Sequence, residues 1–158
     1  MAASTEKQAG EKNKKFWQIK DLSQVNNAIF RYVPFVGCGS YLVFSSNIMN
    51  PRLFRSAFSP YELCVANSLW FNAHLGVGIY LFNCKHIRQA PGYTKVMYSV
   101  FGTAVFNFGS VLMWASSKSL MPENSVVRVL FGLISGVGMI LMGKEYLAYV
   151  DSKCDDQV

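Results

Sequence analysis

The side chains best equipped for chemistry crowd into one apolar stretch. Asn67, Ser68, Asn72 and His74 stand within eight positions, and His74 is one of only two histidines in the chain. An imidazole there could relay protons or offer its lone pair to a metal or a haem. A haem held by two axial histidines needs a second at the same depth, whereas the other histidine, His86, falls in a connecting segment. The competing use is interhelical hydrogen bonding, worth about 1 kcal/mol per bond between membrane helices. That packing role is the preferred reading. On a helix, Ser68, Asn72 and Gly76 share one stripe, and Asn67, His74 and Gly78 another.

A second polar line follows further along. Ser99, Thr103, Asn107 and Ser110 recur at steps of four, four and three, a continuous helical stripe with Gly102 and Gly109 beside it. Turned toward Asn72, it would form a seam of hydrogen bonds between two helices. As a functional surface it would line a hydrated path, but no charged residue lies in it. Ion-selective pores use rings of carbonyls or charges, so packing is again preferred.

The remaining chemistry is sparse. Cys38, Cys64, Cys84 and Cys154 are scattered, with no CxxC pair and no zinc-ligand spacing. Cys84 beside Lys85 is a candidate for S-palmitoylation; Cys154 stands too far from the end for a prenylation box. The last four residues, Asp155-Asp156-Gln157-Val158, fit a PDZ-type groove that holds a terminal carboxylate by backbone amides. The chain contains no glycine-rich phosphate loop, nucleophile elbow, HExxH motif or N-glycosylation sequon. General acid–base catalysis needs partners within reach, and Glu62 and His74 have few. Neither an enzyme nor a bound cofactor or metal is expected.

What positions these groups is read from where charge is missing. The chain has 158 residues, 51% hydrophobic and 15% charged, a size for one packed unit and too apolar for a disordered chain. No charge falls between Arg31 and Arg52, between Glu62 and Lys85, between Lys95 and Lys118, or between Arg128 and Lys144. A helix rises about 1.5 Å per residue, so about 20 residues cross a hydrocarbon layer of about 30 Å. Lipid offers no partner to a bare backbone amide, which selects helices. A soluble bundle would need a polar outer face on each helix, and residues 96–116 have none.

The expected fold is therefore all-α: an integral membrane bundle of four antiparallel transmembrane helices with an N-terminal amphipathic helix. The spans are expected at 32–48, 61–83, 95–116 and 125–148. The fourth is the shortest in uncharged length, with Arg128 and Lys144 snorkelling to opposite headgroup layers. Residues 1–15 are expected to form a polar tail, with neither a cleavable leader nor a mitochondrial presequence, and 151–158 a short C-terminal tail. Residues 16–31 space Ile19, Leu22, Val25 and Ile29 as an interfacial amphipathic helix running into the first span, or equally as a helical extension of that span. Pro34 marks their junction. Asn50-Pro51 reads as a turn, and Ser59-Pro60-Tyr61-Glu62 as a capping box opening the second span. Gly132 and Gly136 form a GxxxG face on the fourth span. Gly37 and Gly39 form another on the first, and the two faces are expected to meet.

With four spans both termini share a side. That side carries eleven basic residues and the other only Arg52, Arg55, Lys118 and Arg128, so both termini are expected to be cytosolic. The host membrane is the endoplasmic reticulum or plasma membrane first, the mitochondrial inner membrane next. The net charge of +6 is a topology signal, with Lys14, Lys15 and Lys20 placed for anionic lipid, and not a nucleic-acid footprint. Function is expected to be non-enzymatic and to run through helix–helix contacts: an accessory subunit, assembly factor or scaffold, with a membrane-protein partner or a second copy of itself. The alternative is a small-solute or ion transport protein using the polar residues of spans two and three.

Overall fold

The computed structural model describes residues 27–155, and every regular element among them is a helix. The chain divides into two units, Met1–Tyr32 and Val33–Val158. Of the first, the described part is residues 27–32, the opening turns of helix α1 (Asn27–Met49). Then come α2 (Pro51–Phe58), α3 (Glu62–Asn83), α4 (Lys85–Arg88), α5 (Gly92–Leu120) and α6 (Ser125–Asp155).

Three helices are long and apolar enough to cross a membrane: Asn27–Met49, Gly92–Leu120 and Ser125–Cys154. Helix α3 has 22 residues, a spanning length, but Asn67, Asn72 and His74 dilute its apolar character and it stands outside that set. α5 and α6 outrun the expected spans at their ends. α6 continues without a break to Asp155, so most of the expected C-terminal tail is helix.

Three local expectations are corrected. Ser59 does not cap α3: its N–H donates to the Arg55 carbonyl at 2.9 Å, closing α2, and the Tyr61 N–H donates to the Phe58 carbonyl at 2.8 Å. Those bonds commit residues 58–61 to a turn, so α3 begins at Glu62 with no side-chain cap. The Asn50-Pro51 pair starts a helix and is more than a turn. Asn50 Oδ1 accepts the Leu53 N–H at 3.2 Å and Pro51 fills the first helical position, where a missing N–H costs nothing. Pro34, expected at a junction, lies inside α1. Of the expected interfacial segment, residues 27–31 belong to α1; its remainder, with Lys14, Lys15 and Lys20, lies outside the described residues, as do residues 156–158.

Within Val33–Val158, side-chain contacts fix the directions of the long helices. Gly132 of α6 faces Ser45 and Met49 of α1, and Gly136 faces Tyr41 and Leu42, so α1 and α6 run antiparallel. Trp114 bonds to Ser135 and Phe106 packs at Gly143, which makes α5 and α6 antiparallel. Leu81 faces Gly102, Gly78 faces Thr103, and the His74 ring meets Phe108, so α3 and α5 are antiparallel too. The core is built around Trp114, which has no exposed surface, with Tyr41, Met49 and Ala73. The Tyr41 ring lies 5.0 Å from that of Trp114 and 5.4 Å from that of Phe106, within the range where offset aromatic pairs attract.

Candidate functional site

The α5 stripe is buried along its whole length: Ser99, Thr103, Asn107 and Ser110 all face inward. Their donors turn to their own helix. Ser99 bonds the Lys95 carbonyl at 2.9 Å, Thr103 that of Ser99 at 2.6 Å, Asn107 Nδ2 that of Thr103 at 2.9 Å, and Ser110 that of Phe106 at 2.6 Å. This back-bonding to the i−4 carbonyl lets a hydroxyl enter an apolar interior without a partner helix. On α3, Ser68 is exposed and bonds the Cys64 carbonyl at 2.8 Å, while Asn72 is half-buried beside the closest approach of α1.

Other bonds cross between helices, one of them reaching the stripe at Ser110. The Tyr41 hydroxyl of α1 donates to Ser110 Oγ of α5 at 2.7 Å. The Trp114 indole N–H donates to Ser135 Oγ of α6 at 3.0 Å, and Ser135 donates to the Phe131 carbonyl at 2.6 Å. Tyr41, Trp114 and Ser135 carried no weight in the sequence reading. An amphipathic aromatic with a serine in reach was the signal present, but which serine it meets is a tertiary fact.

His74 lies between the Trp70 ring, 4.2 Å away, and that of Phe108. Its Nδ1 stands 2.9 Å from the Trp70 carbonyl. A carbonyl only accepts, so Nδ1 is the donor in this contact and Nε2 is the ring nitrogen left over. That Nε2 is buried with no hydrogen-bond partner among the described residues.

The glycines divide by neighbour. Gly37 meets Gly76 of α3 backbone to backbone. Gly132 and Gly136 receive side chains of α1, and Gly39 has open space where a Cβ would go.

Among the described residues, metal-ligating side chains gather at the end of α3. Cys84 joins α3 to α4, His86 lies on α4, and Asp151 reaches them from the last turns of α6. Asp151 Oδ1 accepts the His86 backbone N–H at 3.0 Å and contacts His86 Nδ1 at 2.6 Å, while Oδ2 accepts the Lys85 N–H at 3.1 Å. The short α4 has no cap from its own sequence, and this distant carboxylate supplies one. Cys84 is buried, with Sγ 3.5 Å from the Tyr80 carbonyl. Burial, with Asp151 nearby, pushes its thiol up to about 11. Acylation uses an accessible thiolate, and at 7% exposure Cys84 presents little of one. Among the described residues, Cys84, His86 and Asp151 are the group that could hold a metal ion, each offering one ligand atom with all three atoms within 4.8 Å of one another. Sequence reasoning set His86 aside as a loop residue and did not consider Asp151, because 65 positions separate them and no local spacing links them.

Comparison with protein-family models, with curated proteins and with solved structures finds no match to this chain.

Proposed function

We propose that this is a small multi-pass membrane protein of four antiparallel spans, α1, α3, α5 and α6, acting non-enzymatically through helix contacts as an accessory subunit, assembly factor or scaffold. One observation carries the reading. The outward faces of the long helices are apolar: Val100, Phe101, Val105 and Leu112 on α5, and Leu130, Ile134 and Leu141 on α6, are half or more exposed. The polar groups of α5 point inward and bond to their own backbone. Such faces suit lipid tails or partner helices. Stripe donors already engaged by carbonyls are poorly placed to hydrate a path, so the transport reading draws no support from them. Both termini are placed on the cytosolic side by the basic-residue bias, in the endoplasmic reticulum or plasma membrane before the mitochondrial inner membrane.

The test is extraction from native membranes in mild detergent, with crosslinkers placed at Phe101 and Ile134. Crosslinks to a defined membrane protein or to a second copy support the reading. A strictly monomeric protein without crosslinks overturns it. Solute flux in proteoliposomes that disappears in Asn107→Leu would put transport in its place.

A further inference from the structure

We propose that Cys84, His86 and Asp151 bind a divalent transition-metal ion of the zinc type at the edge of the membrane domain. The three donors are a thiol sulfur, an imidazole nitrogen and a carboxylate oxygen, the set that borderline-soft Zn2+ accepts. They are brought together by folding: Cys84 and His86 flank the start of α4, and Asp151 arrives from α6. One ligand atom from each lies within 4.8 Å of the others. A tetrahedral ion with bonds of about 2.0–2.3 Å holds its donors roughly 3.3–3.8 Å apart, so rotamer adjustments of about an ångström close the site around it.

The surroundings suit an ion more than a chance meeting of side chains. Asp151 is held by two backbone N–H groups, of Lys85 and His86, the outer support that orients a ligating carboxylate. The His86 and Asp151 side chains are each about a fifth exposed, at 22% and 21%, which leaves a path for an ion from water, while Cys84 closes the apolar side. Binding exchanges the thiol proton for the ion and releases it to solvent. Three protein ligands leave a fourth position for water or for a donor on another protein. The ion would clasp the end of α6 to the α3–α4 junction, a role independent of the helix-contact function proposed above.

The test uses the full chain in detergent micelles, stripped with chelator and then titrated with Zn2+ by calorimetry and with Co2+ by absorbance. One equivalent of Zn2+ and a sulfur-to-Co2+ charge-transfer band are expected. Cys84→Ser should abolish the band with unchanged helix content, and His86→Gln should weaken Zn2+ binding at least about tenfold. Cys154→Ser should leave both intact. Absence of saturable Zn2+ binding overturns the proposal, and so does equal affinity in Cys84→Ser and His86→Gln. Because replacing a buried cysteine can disturb folding, the unmutated protein supplies the second measurement: Co2+ bound without a sulfur band also overturns it.

Discussion

Gly37 and Gly76 bring the backbones of α1 and α3 into direct contact. A Cβ placed on Gly37 would sit 2.5 Å from the Gly76 Cα, and one on Gly76 would sit 2.6 Å from the Gly37 Cα. Neither neighbour is a flexible side-chain tip, so a methyl group at either position must push two helices apart.

Gly37→Ala and Gly76→Ala should each destabilise the protein, by about 1–3 kcal/mol as overpacking does. Gly39→Ala is the matched control. Its Cβ meets nothing within 4 Å, so it should be neutral or stabilising by up to about 1 kcal/mol, the helix-propensity gain over glycine. Denaturant-driven unfolding in micelles followed by circular dichroism separates the two signs.

The buried Tyr41–Ser110 bond and the part-buried Trp114–Ser135 bond join α1, α5 and α6. Tyr41→Phe removes one donor while Ser110 keeps its bond to the Phe106 carbonyl, and should cost about 0.5–1.5 kcal/mol. Trp114→Ala empties the centre and should cost about 3–5 kcal/mol. The same unfolding assay ranks them, and equal effects would contradict the placement of Trp114 at the centre of the core.

Arg128 closes the α5–α6 connection. Its guanidinium donates to the Met121 carbonyl at 3.1 Å and reaches that of Lys118 at 3.5 Å, satisfying carbonyls at the negative end of α5. Arg128→Gln should destabilise by roughly 1 kcal/mol. Amide hydrogen exchange should accelerate at 116–121 and stay unchanged in the middle of α5.

Cys84 should alkylate slowly in metal-free protein. Maleimide attacks the thiolate, and a thiol pushed up to about 11 is almost wholly protonated near neutral pH. Its labelling rate should therefore rise about tenfold per pH unit through the alkaline range. Mass spectrometry of peptides labelled over time reads this directly. Complete modification of Cys84 before Cys154 would contradict its burial.

Much of the architecture was legible in the sequence, because hydropathy and charge placement are one-dimensional signals. The gap from Lys95 to Lys118 marks α5 to within a few residues, and that from Arg31 to Arg52 contains most of α1. Helix ends were less legible. Ser59 carries the composition of a cap, yet its N–H completes α2 instead, a choice made by the preceding helix. The clearest missed element is α2, whose Asn50 cap and Pro51 start were visible but read only as a turn.

The order of residues alone determined that half the chain avoids charge, that three of its helices are long and apolar enough to cross a membrane, and that glycine and hydroxyl faces recur at helical spacing. Those properties are local, set by side-chain transfer energies and a 3.6-residue repeat. Only the tertiary structure decided that Gly37 packs on Gly76, that the α5 hydroxyls bond to their own backbone, and that Asp151 arrives at Cys84 and His86. The first and the last join residues far apart in the chain, at distances chosen by how helices pack together, and the inward turn of the α5 hydroxyls follows from which face of α5 that packing buries.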